Sequence, residues 1–401
     1  MDKQYKAYSI LLYIIWPFSA LFIGIRNFDF AFGRKLLIAV FVFLGYTTLE
    51  SGDLERYAKH YYEVSEMSFN EIIKLFLNLK VSKLFNDVTA IVFSPFDNHH
   101  IYFSFLFGVY GYLLVNTINF LRMRLLRKAT PPVLISFIAF AFFYSVLTVF
   151  NYAFYTGAIY FLFFLIKIVL HKQKTSYFLI LFAPLFHVAL APLLLIPLFY
   201  FVFKQRTNLY ILVLLVFTFV SQTVLINNLS TYLVDSDTVL ENKYNAYASE
   251  VGKERMDLKY SEGLQQGNTN YRLFRDIRNV SNRFAIPLLL IVLYFNRKKF
   301  KKDENLLNLF NISIGCLSIT QLMLNISQGE RFYFISGFMA LATFTYFTQK
   351  FHFLSLRFKF PLYAIIVCVL LNDMVSIVMV KNLISSDFLL SNFPYLILKL
   401  L

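Results

Sequence analysis

Cysteine is nearly missing. The 401-residue chain has two, Cys316 and Cys368, and both sit inside apolar runs. That argues against a disulfide framework and a cysteine-based metal centre. Charge is scarce as well: 15% of residues are Asp, Glu, Lys or Arg, far below the share of a soluble domain. The shortage falls on the acids, 23 against 38 bases, for a net charge of +15. No Walker-type phosphate loop is present, so no ATP-driven step is visible. A Gly-x-Ser-x-Gly elbow and a zinc-protease HExxH are absent too. No internal repeat, low-complexity tract or soluble nucleotide-sugar domain stands out.

What fills the chain is apolar sequence, 58% of it, with 49 Phe and 27 Tyr. Ile101 to Phe120 reads IYFSFLFGVYGYLLVNTINF and carries no charge. About twenty such residues cross the hydrocarbon core as a helix. The pattern recurs and predicts an all-α, polytopic integral membrane protein. It forms one transmembrane domain over residues 1–401, with about eleven (10–12) helical spans. The expected spans are 8–25, 36–49, 101–120, 132–150, 151–170, 177–203, 209–226, 283–296, 306–325, 332–349 and 360–380. Segments 36–49 and 283–296 are short and need their polar flanks. The stretch 177–203 holds Pro184, Pro192 and Pro197, so it is expected to be broken, re-entrant or two half-spans. The run 8–25 lacks a small-residue cleavage site before Arg26 and reads as a retained first span. The apolar tail 387–401 is short, an interfacial segment or a partial span.

The basic excess sits in short connections, as cytoplasmic loops require, which argues for a bilayer and against nucleic acid as partner. Those connections hold Arg122, Arg124, Arg127 and Lys128; His171, Lys172 and Lys174; Lys204 and Arg206; and Arg297 to Lys302. The opposite side then receives two long external segments, 51–100 and 227–282, and the turn Ser327 to Arg331. Segment 227–282 has eight acids and seven bases, an ordinary external balance. The weakly basic loop 26–35 places the N-terminus outside.

Four constellations on that external side carry candidate chemistry. In SGDLERYAKHYY, residues 51–62, a helix puts Asp53, Tyr57 and Tyr61 on one face with Arg56 and His60 alongside. Tyrosines there stack on sugar rings and a carboxylate binds hydroxyls; the alternative is an amphipathic helix lying on the membrane. His187 lies inside an apolar run beside the prolines. It is either functional or a core histidine bonded to a nearby carbonyl. In YRLFRDIRNVSNRF, a helix brings Arg272, Arg275 and Arg283 within about 80° of one another, with Arg278 one turn from Arg275. Guanidinium groups match phosphate oxygens bidentately, so a lipid-linked diphosphate is the natural ligand and headgroup anchoring the alternative. Glu330 and Arg331 sit at the mouth of two spans, where Glu330 is a general base or half of a local ion pair. Asn151, Tyr155 and Thr156 form a weaker polar cluster. Asp97, His99 and His100 read as an interfacial turn rather than a metal site. No metal and no cofactor is called for.

Taken together, these residues resemble the EpsG-like branch of the Wzy-type bacterial polysaccharide polymerases. The resemblance rests on an early external D-x-x-x-Y segment (Asp53 to Tyr57), a mid-chain Phe186–His187 before a leucine-proline stretch, and a late external Arg (Arg331, with Arg283). The chain departs from the family at Asn151 to Gly157, NYAFYTG, where no Arg appears; Gly52 directly precedes Asp53. Phosphate binding would then fall to Arg275, Arg278, Arg283 or Arg331. The resemblance implies a fold like the C-type glycosyltransferases in the bacterial inner membrane. It implies a reaction joining undecaprenyl-diphosphate-linked oligosaccharides at the outer face, beside a flippase and a chain-length regulator. Glu330, His187 or Asp53 would be the base, the arginines would hold diphosphate, and Arg56, Tyr57 and Tyr61 would hold sugar. A flippase for the same units, a membrane O-acyltransferase and an O-antigen ligase are the alternatives.

Overall fold

The computed structural model describes residues 3–49, 53–78, 82–123, 149–222, 269–324, 329–351, 367 and 385–392; the side chains of Asp53, Val149, Gln222, of 269–279 and of Ser281 lie outside it. Among the described residues every regular element is helical. In chain order the helices are α1 (Lys3–Ile15), α2 (Ser19–Arg26), α3 (Ala31–Tyr46), α4 (Asp53–Ser65), α5 (Phe69–Leu77), α6 (Leu84–Phe93) and α7 (His99–Leu121). Then come α8 (Tyr152–His171), α9 (Lys174–Leu179), α10 (Ala183–Phe186), α11 (Leu195–Phe203) and α12 (Thr207–Gln222). The last are α13 (Thr269–Phe295), α14 (Arg297–Phe300), α15 (Glu304–Met323), α16 (Tyr333–Phe351) and α17 (Ser386–Leu390).

Three helices, α7, α8 and α15, are long and apolar enough to cross a membrane, with 23, 20 and 20 residues. At 1.5 Å per residue they rise about 30–35 Å, which matches the hydrocarbon thickness. α15 is buried along most of its length and packs against α8, α12, α13 and α16. Its polar side chains are used between helices. The Thr207 hydroxyl donates to Asn311 Oδ1 at 2.8 Å, and Ser313 and Thr343 share a hydroxyl bond of 2.9 Å. With water excluded, such bonds and close packing hold apolar helices together.

One expectation changes. The run 8–25 does not form one span. It breaks at Trp16–Phe18, where Pro17 cannot donate to the helix ladder, and α2 folds back along α1. Asn27 Nδ2 donates to the Tyr5 hydroxyl at 3.1 Å, so the two ends of this hairpin lie side by side. The beginning of α1 therefore lies at the same end of the molecule as the 26–35 connection. The segment 283–296 extends into its polar flank as expected: it is the apolar half of a 27-residue helix, α13, which continues N-terminally through its arginines. The broken character of 177–203 matches expectation: α9, α10 and α11 are short pieces joined by 3-10 turns. Spans 132–148 and 360–380 fall outside the described residues, apart from Val367, as does most of segment 227–282. Of the tail, α17 is described. Trp16 Nε1 donates to the Leu389 carbonyl at 2.6 Å and the Ser385 hydroxyl donates to the Thr47 carbonyl.

The basic connections gather at one end of the bundle. Lys172 pairs with Glu304 at 2.8 Å, Lys350 pairs with Asp303, and Arg122 pairs with Asp29. The Phe120 and His171 rings, 5.0 Å apart, join the ends of α7 and α8 there. The opposite end receives the α4–α6 segment and the starts of α8 and α16.

Helix α5 is bounded by a capping box. The Ser68 hydroxyl accepts from Glu71 N–H at 3.3 Å, and Glu71 Oε2 accepts from Ser68 N–H at 2.7 Å. The Ser68 backbone N–H, and then its hydroxyl, hold the Glu71 carboxyl below the ordinary range. A depressed carboxyl stabilises the folded helix above its unfolded pKa and loses that contribution as pH falls through the folded one. Amide-exchange protection in α5 is therefore expected to decline on acidification. Glu71→Gln, which keeps the box but does not titrate, is expected to flatten that decline. An unchanged acid dependence in Glu71→Gln would exclude the carboxylate as its source.

Candidate functional site

Four separate stretches of chain gather near the first turns of α8, three in direct contact and α13 through the start of α16. The proline-broken stretch is one. Pro184 sits in the first turn of α10, where its missing N–H costs nothing, and the helix stops at Phe186. His187 follows in extended conformation, φ −162° and ψ 121°. Its Nδ1 accepts the Ala189 N–H at 3.2 Å and so caps the next turn. The α4–α6 segment is clipped onto this break: Val188 N–H donates to the Ser82 carbonyl at 3.0 Å, and the Phe85 and Phe186 rings are 4.4 Å apart. Gly157 of α8 permits the approach, since a Cβ there would lie 2.4 Å from Leu190 Cδ1 and 2.7 Å from Phe186 Cβ.

Phe154 joins the break to the turn between α15 and α16. Its ring meets His187 edge-on at 5.7 Å and Phe332 at 5.3 Å. Phe332 closes the 3-10 turn Gly329–Phe332, which carries the half-buried Glu330 and Arg331. Glycine is required at 329, because a Cβ would fall 1.8 Å from the Met323 carbonyl oxygen. Tyr155 packs on Phe334 at 5.3 Å, which fixes α16 to α8 at the same level.

Arg283 of α13 arrives beside the start of α16. Its side chain is exposed, and both it and Gln321 lie within hydrogen-bonding reach of the Tyr333 hydroxyl, the guanidinium also acting on it electrostatically. Tyr333 is 1% exposed, and its hydroxyl meets hydrogen-bond geometry with no group among the described residues. Arg272, Arg275 and Arg278 lie on the helical backbone of α13, with Arg272 and Arg275 at register positions near that of Arg283. Their side chains are outside the described set.

The fourth stretch is α4. The Tyr57 ring lies 4.9 Å from the Tyr152 ring, and Lys83 Nζ sits 3.9 Å over its face. Arg56 is exposed. Asp53 is the first residue of the helix, its side chain outside the described set. Tyr61 requires a correction. It is 1% exposed, stacks on Tyr102 at 4.9 Å, and donates its hydroxyl to the Phe93 carbonyl at 2.9 Å. Burial pushes its phenol above the ordinary range. A ring enclosed in this way packs the segment and offers no face to a sugar. The His187 Nδ1 accepts a backbone N–H, which in the neutral ring leaves the proton on Nε2.

Sequence reasoning missed a buried carboxylate. Asp87 of α6 has a side chain 5% exposed, and the half-exposed His60 reaches it through Nε2 at 2.8 Å. The phenols of Tyr102 and Tyr152 lie within electrostatic reach of the same carboxylate. The signal was one acid inside the otherwise apolar LFNDVTAIVF. Next to it, Asn86 is 2% exposed, with neither amide atom bonded among the described residues. Asp97, with φ 44°, makes a left-handed turn, and the Tyr62 hydroxyl meets His99 Nδ1 at 3.0 Å. Among the described residues no group of three His, Cys, Asp or Glu is placed to hold a metal.

No family model, no curated protein and no solved structure matches the chain.

Proposed function

We propose that this protein is a multi-pass glycosyltransferase of the bacterial inner membrane, with about eleven spans and a C-type architecture. Its substrates would be oligosaccharide units on undecaprenyl diphosphate, which it joins into polymer at the outer face. One observation carries the reading. His187, the Glu330–Arg331 turn and Tyr57 converge around the first turns of α8, with Arg283 beside Tyr333 at the start of α16, at the end opposite the basic connections. That end would be external by the charge bias.

In the reaction the acceptor hydroxyl oxygen bonds to the anomeric carbon of the donor sugar. The bond from that carbon to the diphosphate oxygen breaks, and its electron pair leaves with undecaprenyl diphosphate. Arg283 and Arg331 stabilise the departing charge, with the arginine row of α13 extending the anionic track. His187 donates a hydrogen bond, Tyr57 and Arg56 contact saccharide, and the proton passes to a base, for which Glu330 and Asp53 are the carboxylates named by the sequence. Arginine supplies the charge stabilisation, so the scheme calls for no cofactor.

The test is the fate of lipid-linked glycan in cells lacking the protein. Single repeat units, accumulated or displayed unpolymerised, are expected. Full-length polymer lacking one modification would replace this reading with acyl transfer. Units held on the cytoplasmic leaflet would replace it with transport.

A further inference from the structure

We propose that His60, oriented by Asp87, takes the proton from the acceptor hydroxyl. This inference rests on the glycosyl-transfer reading above and names the base that it left open.

The argument begins with burial. A carboxylate taken out of water is expensive unless paired, and Asp87 is almost wholly buried. A partner serving stability alone would best be a permanently charged, multiply bonding arginine. The partner here is an imidazole on a different helix, with its own side chain 45% exposed. Accepting from Nε2–H, Asp87 selects the neutral tautomer whose lone pair is on Nδ1. That nitrogen lies 3.9 Å from Glu63 Oε2, a second carboxylate placed to stabilise the cation formed on protonation. The arrangement is a histidine with one nitrogen held and the other able to accept, as general bases require.

The surroundings suit a hydroxyl-bearing ligand. His60 is one helical turn from Tyr57, whose ring carries Lys83 on its face and touches Tyr152 of α8. The buried, unbonded Asn86 amide adjoins Asp87 in sequence. The charged groups around His60 are Arg56, Lys59 and Glu63 on α4, and Lys83 and Asp87 on the α6 side. In the step, the hydroxyl proton goes to Nδ1 as the oxygen bonds to the anomeric carbon, and the imidazolium returns the proton to water after the diphosphate has left. Asp87 is a positioning residue.

The experiment uses full-length protein in liposomes with lipid-linked oligosaccharide extracted from cells that lack it. Release of polyprenyl diphosphate is followed across about pH 5.5 to 9. His60→Gln keeps an N–H donor for Asp87 and leaves the fold supported, but has no basic nitrogen. It is expected to lose at least about 100-fold in kcat with KM within about three-fold, and to lose the acid limb of the wild-type profile. Asp87→Asn is expected to lose less, also in kcat. His60→Gln turning over within about three-fold of wild type with its acid limb intact would remove His60 as the base. A wild type that releases no polyprenyl diphosphate would overturn the transfer reading and the base together, and is recognised because the parent protein itself fails.

Discussion

Gly329→Ala is expected to unfold the turn between α15 and α16, and Gly329→Val to do at least as much damage. The clash begins at Cβ, which both residues carry, 1.8 Å from the Met323 carbonyl oxygen. That atom is backbone at the end of α15, so no rotamer change relieves the contact. A loss of more than about 4 kcal/mol is expected, seen as a large fall in thermal stability in detergent. Glu330 and Arg331 follow Gly329, and Phe332 leans on Phe154, so transfer activity should disappear with it. Gly157→Ala provides the contrast. Its Cβ would meet Leu190 and Phe186 side-chain atoms, which can yield in part, and a cost of about 1–3 kcal/mol is expected. Wild-type stability in Gly329→Ala would mean that the Gly329–Phe332 turn is not folded as described.

Arg283→Ala and Tyr333→Phe are expected to separate stability from function. Arg283 is exposed, so its removal should leave the bundle intact while reducing transfer by about 100- to 1,000-fold, the usual effect of deleting a group that meets developing charge. Tyr333→Phe removes one hydroxyl from a buried ring. Because Gln321 and Arg283 adjoin that hydroxyl without a well-formed bond, its loss should change stability by less than about 1 kcal/mol. Activity should fall nonetheless, since the hydroxyl adjoins Arg283, which the proposed reaction uses. Thermal unfolding and polymer yield, measured on the same preparations, check both. A Tyr333→Phe protein that is destabilised and fully active would assign the hydroxyl to structure alone.

The apolar lengths and the prolines of 177–203 were readable because they act locally: hydrophobicity fills a span and a missing N–H interrupts one. Pro17 obeys the same rule, yet the residues flanking it are apolar enough to sum to a single crossing, and only the Tyr5–Asn27 contact reveals the fold-back. Tyr57 and Tyr61 share a helical face, and spacing alone does not say where that face turns inward. Packing against Tyr102 and Phe93 encloses Tyr61, while Tyr57 stays half-open under Lys83. His187 was legible as an expensive residue, but its tautomer depends on a backbone N–H two residues along. Asp87 was illegible for the opposite reason. Its stretch of sequence holds no other charge, and its partner His60 lies 27 residues away on another helix.

The hairpin of α1 and α2 changes the parity of the chain. A segment that turns back contributes an even number of passages, where an unbroken one contributes one. A reporter fused ahead of Lys3 and one inserted in the 26–35 connection should therefore read the same compartment. Every sidedness counted forward from the first apolar run inverts, whereas one anchored on the basic stretch Arg297 to Lys302 does not.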